Sequence, residues 1–136
     1  MNKASPVLSI CRFSLGFVWI YQGVVPKWLG PHTDELAMNV LAGFTPIQAP
    51  VISYIAGTVE LLLGLAILVW HQHRWPYAVS AVFIAGLYLF TVVMASQFLL
   101  SAFNATTVNL AVFSLSAVAL MELRRMDAEA ARLKKG

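Results

Sequence analysis

Charge is scarce in this chain. Only 11% of its 136 residues are charged, against about 25% in an average soluble domain. Eight of those charges fall between Glu122 and Lys135, so the first 121 residues carry seven. With 60% hydrophobic residues and a mean hydropathy of +0.76, the sequence has too little polar surface for a soluble fold and too much apolar content for disorder. Cysteine is scarcer still. Cys11 stands alone, which excludes an internal disulfide, a CxxC redox pair and the two-thiol chemistry of a thiol–quinone oxidoreductase. A glycine-rich dinucleotide fingerprint is also missing, so neither flavin nor nicotinamide is expected. The net charge of +3 does not point to nucleic acid, because lysine and arginine flank apolar runs instead of forming a patch. Anionic lipid headgroups are the expected counter-charge.

What remains is a membrane pattern. Four apolar runs cover residues 6–25, 51–70, 76–100 and 105–121, each near the length of a span. In hydrocarbon each must be helical, since only a helix satisfies its own backbone hydrogen bonds. Pro6 and Pro76 suit helix starts, whereas Pro26, Pro31, Pro46 and Pro50 fall in the first connection. The first run resembles a signal sequence in having Lys3 before it. Arg12 interrupts it, and bulky Trp19-Ile20-Tyr21-Gln22 stands where small cleavage-site residues are needed, so it is expected to stay.

The expected fold is therefore an all-α, single-domain, integral-membrane four-helix bundle. If the N-terminus is cytoplasmic, that side receives Lys3, Arg74, Arg124, Arg125, Arg132, Lys134 and Lys135, while the other receives only Lys27. Both termini should then be cytoplasmic, in a bacterial inner membrane. A short interfacial helix is predicted over 33–43, with Thr33 as N-cap, Asp34 and Glu35 as an acidic pair in the first turn and Gly43 at the C-terminal position. Residues 122–136 should carry the fourth helix on as a charged tail.

Polar residues in lipid are costly and mark inward faces. Such stripes are Ser9, Arg12, Gly16, Trp19 and Gly23 on the first span, and Ser53, Gly57, Glu60 and Gly64 on the second. Ala78, Ala81, Ala85, Tyr88 and Ala95 form one on the third, and Thr106, Asn109 and Ser116 one on the fourth. The stripes suit packing within one chain or in a homo-oligomer. Arg12 and Glu60 are the charges inside spans, about 9 and 15 Å from the cytoplasmic ends of their helices, which suggests an intramembrane ion pair. The alternative is that Arg12 snorkels to the headgroups and Glu60 is a protonated structural carboxyl. His71 and His73 lie on the opposite side from His32, and none is inside a span, so neither a metal site nor a haem is expected. Trp19, Tyr21, Trp28, Trp70, Trp75 and Tyr77 read as an interfacial belt. Tyr21 and Gln22, with Lys27, His32 and Asn109, are candidates to hold a polar ligand or a quinone headgroup.

The stretch Trp19-Ile20-Tyr21-Gln22-Gly23-Val24-Val25-Pro26-Lys27, followed by Pro31-His32 and Asp34-Glu35-Leu36, resembles the DoxX-like family of small bacterial membrane proteins. Gly57 to Gly64, read as G-x-x-E-L-L-L-G, and Phe103-Asn104 with Thr107 to Leu110 fit the same resemblance. It implies a four-helix membrane bundle. The family takes its name from a subunit associated with archaeal quinone-reducing sulfur oxidation, which implies a quinone-linked accessory role beside a membrane or redox partner. No catalytic set carries over. Two other classes remain: a non-catalytic assembly or partner protein, and a small-solute transporter built around Glu60.

Overall fold

The computed structural model describes residues 5–100 and 105–134, and among these the chain is helical, with no strand. Five α-helices run α1 (Pro6–Gly23), α2 (Thr33–Leu41), α3 (Ala49–Val69), α4 (Trp75–Met94) and α5 (Ala105–Leu133). A π-helical turn, Val24–Trp28, prolongs α1, and a 3-10 turn, Ser96–Leu100, follows α4. Four segments are long and apolar enough to cross a membrane: Pro6–Trp28, Ala49–Val69, Trp75–Met94 and Thr106–Leu133. Large apolar side chains such as Ile10, Phe13, Phe17, Leu62, Val82 and Leu89 cover their outer faces. In water that surface would be an aggregation liability; hydrocarbon is its natural solvent.

Local signals explain most helix boundaries. Ser5 caps α1 by accepting a hydrogen bond from the Leu8 N–H at 3.3 Å, ahead of Pro6 in the first turn. Pro50 lies inside the first turn of α3, not in the loop, because an N–H missing there costs nothing. Thr45 and Gln48 exchange hydrogen bonds just before it, in the manner of a capping box. The expected N-cap of α2, Thr33, is instead its first residue. His32 takes the cap, its Nδ1 accepting from the Asp34 N–H at 3.3 Å. Gly43 follows α2 with φ of 97°, a backbone conformation in which a side chain would be strained. The third apolar run is not one helix to residue 100. After the β-branched Thr91, Val92 and Val93, the chain leaves α4 at Ala95 and tightens into the 3-10 turn over the polar pair Ser96-Gln97. The fourth run and the tail as far as Leu133 form one continuous helix, and residues 101–104, 135 and 136 lie outside the described residues.

α1 is the central helix, packed between α3 and α5, while α4 packs mainly on α5. Leu8, Cys11, Leu15 and Trp19 of α1 join Leu63 and Ile67 of α3, Tyr77 and Ile84 of α4, and Val112, Ala119 and Leu123 of α5 in one buried core. Glycine lets α1 and α3 touch backbone to backbone. A Cβ added at Gly23 would fall 2.5 Å from the Gly57 carbonyl oxygen, and one at Gly57 would fall 2.7 Å from the Gly23 oxygen. Two turns further along α3, a Cβ added at Gly64 would fall 3.0 Å from the Gly16 carbonyl oxygen. This pairing sets the antiparallel register that positions every polar side chain between the two helices.

Two expected faces need correction. The inward face of α4 is Tyr77, Ser80, Ile84 and Thr91; of the expected stripe, Ala95 is buried just past the helix and Ala81 is half-buried, but Ala78, Ala85 and Tyr88 are exposed. Alanine is small but carries no polarity signal, whereas Ser80 must find partners. It accepts from Trp19 Nε1 at 2.8 Å and lies 2.9 Å from the Ser116 hydroxyl. Trp19 and Tyr77 are therefore core residues, not belt residues, at 2% and 0% exposure.

Candidate functional site

Pro26 creates the centre of the site. Its ring removes the N–H that would continue the α-helix and crowds the carbonyl one turn back. The chain responds by widening into the π turn, closed by the Leu29 N–H donating to the Val24 carbonyl at 2.9 Å. A π turn inserts a residue and rotates everything after it. Lys27 is thereby directed into the protein, where it is only 6% exposed.

The buried ammonium lies between two carboxylates. Lys27 Nζ is 3.0 Å from Glu60 Oε2 on α3 and 3.1 Å from Glu35 Oε1 on α2. Burying a lone charge is prohibitive, and a flanked one is tolerable. The Glu60 contact is an ion pair without hydrogen-bond alignment, which leaves the buried Oε2 open to a further donor. Glu35 ties α2 to the end of α1. Asn39 ties it to α3, its Nδ2 donating to the Ala49 carbonyl at 3.0 Å and to Ser53 Oγ at 2.8 Å.

Beneath α2 is a cavity of about 450 Å³ bounded by α1, α3, α4 and α5. That is within the size range of small-molecule sites. Glu60, Lys27, Glu35, Asp34 and His32 supply its charged and ionisable rim, and Gln22 and Asn109 enter from α1 and α5. Trp19, Phe83, Ile84, Leu87, Phe90 and Val112 give it apolar walls, with Trp19 and Phe83 stacked at 5.4 Å. Gln22 and Asn109 are half-buried. Among the described residues neither amide has a hydrogen-bond partner, unlike Asn39, so each can offer its donors and its acceptor to the cavity. His32 spends Nδ1 on the α2 cap, where it also lies 3.6 Å from Asp34 Oδ2.

Residues 16–117 match the profile of the DoxX-like family, three quarters of the chain. The chain belongs to the DoxX-like family. Comparison with curated proteins and with solved structures gives no match. Family membership and the four apolar helices together make this DoxX-like chain a multi-pass membrane protein.

Of the residues singled out in the sequence, Gln22, Lys27, His32, Asp34, Glu35, Glu60 and Asn109 come together on this one cavity. Tyr21 does not. It is 49% exposed on the outside of α1, its ring 5.8 Å from Phe17. The proposed Arg12–Glu60 pair is not formed either. Arg12 lies over the Phe13 ring at 5.0 Å, with its Nε buried and unpartnered, and Glu60 goes to Lys27. Helix ends had suggested similar depths for the two charges, but the Gly23–Gly57 register puts Glu60 level with Ile20. That is eight residues, about 12 Å, from Arg12. Lys27, placed by the sequence on the non-cytoplasmic side and among the candidate ligand residues, is instead the partner. Asn39 was missed, although an asparagine inside an otherwise apolar helix stripe is a poor helix former that needs a reason to be there.

Proposed function

We propose that this DoxX-like protein binds the headgroup of a quinone in the cavity beneath α2 and serves as an accessory to a membrane redox system. The observation that carries the reading is the pair of unengaged amides, Gln22 and Asn109, on facing helices of one cavity. An amide can donate to a quinone carbonyl or accept from a quinol hydroxyl, so two of them serve both redox forms. Trp19, Phe83 and Phe90 suit the flat ring. Asp34, Glu35 and Glu60 outnumber Lys27 in the lining, which disfavours an anionic ligand and favours a neutral one. Bound quinone would supply two-electron, two-proton carrier chemistry. The protein's own contribution is a route for the protons. Side-chain exposure falls from 64% at Asp34 through 26% at Glu35 to 8% at Lys27 and 5% at Glu60, an order that leads from solvent to the cavity. Electrons must come from a partner protein.

The arrangement of lysine and arginine supports cytoplasmic termini in a bacterial inner membrane, with α2 as an interfacial helix covering the cavity on the outer side. A redox partner would then meet the site there. An exporter exchanging protons for cations would have to bring its cation to Glu60, and the Lys27 ammonium 3.0 Å from that carboxylate repels one, which weighs against that class.

The test is direct. Protein purified in mild detergent should yield close to one quinone per chain in its organic extract, and Gln22→Leu with Asn109→Leu should lower that content about fivefold without changing the elution profile. Quinone-free extracts that stay so after incubation with added quinone would overturn the reading and leave the assembly-partner class.

A further inference from the structure

A second depression, of about 310 Å³, opens on the outer face between α4 and α5. Its walls are Ala85 and Tyr88 from α4 and Leu110 and Phe113 from α5, all exposed. Ile84 and Asn109 line both this groove and the cavity beneath α2, so the two share a wall. The lining positions recur at three- and four-residue spacings: 84, 85 and 88 on α4, and 106, 109, 110 and 113 on α5. That spacing describes the edge of a helix face adjoining a neighbour. Residues 84–88 are also the centre of the 20-residue α4. The groove therefore opens at the depth of the hydrocarbon core, and the polar cavity lies beside it on the α2 side.

We propose that the groove holds the hydrocarbon chain of the cavity's ligand, which reaches the site sideways from the bilayer between α4 and α5. The inference rests on the headgroup site proposed above and adds the ligand class: a neutral polar ring carrying an isoprenoid or alkyl chain. Three features fit one molecule of that kind. Hydrogen-bonding groups sit on the α2 side, the apolar trough sits near mid-membrane, and Asn109 stands where head would meet chain. A tailed amphiphile already lies in the bilayer with that orientation, so binding needs no inversion. Lateral access also keeps the chain out of water throughout.

The experiment uses the full chain in detergent with two probes, a benzoquinone bearing two isoprene units and the same ring with no chain. Affinities, corrected for detergent partition, come from quenching of tryptophan fluorescence. Ala85→Phe fills the groove from an exposed position, and Leu110→Trp fills it from the other wall, so a folding defect in one leaves the other to decide. The expected result is a loss of roughly tenfold for the tailed quinone, with the tail-free ring bound as by wild type. Unchanged binding of the tailed quinone in both variants would overturn the groove while leaving the headgroup site standing. An equal loss for both probes would also overturn it, by placing the effect on the cavity. Failure of wild type to bind either probe would overturn the headgroup reading and the groove with it.

Discussion

Lys27 illustrates how one side chain can hold three elements together. It belongs to the π turn after α1, and its two carboxylate partners come from α2 and α3. Removing one member of such a pair strands the other in a place where it cannot be hydrated, at a cost of about 3–5 kcal/mol. Lys27→Met should therefore lower the thermal midpoint markedly, and Glu60→Gln should do so less, since glutamine can still accept from the ammonium. The double change Lys27→Met with Glu60→Leu should recover much of the loss, because the one carboxylate left unpaired, Glu35, is partly exposed and can be hydrated. Melting curves of the three variants in one detergent check this, and a double variant no better than Lys27→Met would show that the pair is not the source of the effect. The same scale shows what was legible. Gln22, Glu60 and Asn109 stood out because a polar group inside an apolar run has to be explained. Lys27 was a candidate to meet a ligand but not to pair with Glu60, because beside a proline at a span end it looks like any interfacial charge.

The α1–α3 contact is the element on which the site depends. Gly23, Gly57 and Gly64 bring the backbones close enough that a side chain at any of them would run into the facing helix backbone and push the helices apart. At Gly57 an added Cβ would meet the Gly23 carbonyl oxygen at 2.7 Å and Lys27 Cβ at 2.9 Å. Gly57→Val should therefore separate Lys27 from Glu60 as well as destabilise the fold. The expected signs are a lower melting midpoint and a loss of quinone binding larger than that of an equally destabilised core variant such as Leu123→Ala, whose buried side chain packs far from the cavity. Equal binding in the two would mean that the register tolerates the splay. The glycine stripes were readable from spacing alone. The depth at which they meet was not, because a stripe of glycines permits several registers, and helix ends are a poor ruler when one helix continues into a π turn and the other begins in the connecting loop.

At the scale of the whole molecule, polar ties cluster at both ends of the apolar segments. At the end opposite α2, Ser5 donates to Glu122 at 2.5 Å, Arg125 grips Glu122 and Glu129, and Arg74 pairs with Asp127. The charged extension of α5 is thus fastened to the start of α1 and to the turn between α3 and α4. If both termini are cytoplasmic, Thr45→Cys in a Cys11→Ser background should react with a membrane-impermeant thiol reagent in intact cells, and Ala128→Cys should react only after the membrane is opened. The reverse pattern would invert the topology and place the cavity on the cytoplasmic side.

The class of the protein, its four long apolar helices, the charged extension of the last one and its family could all be read along the chain. Composition and helical period act locally, and hydrocarbon permits few answers to them. The sequence also picked out most of the cavity's polar residues, since a buried amide or carboxylate is conspicuous anywhere along an apolar run. Only the tertiary structure decided which of them meet. Pairing Glu60 with Lys27 instead of Arg12 followed from the glycine register and from the turn that Pro26 imposes. Both depend on how one helix slides and rotates against another, a relation between distant parts of the chain that no local pattern encodes.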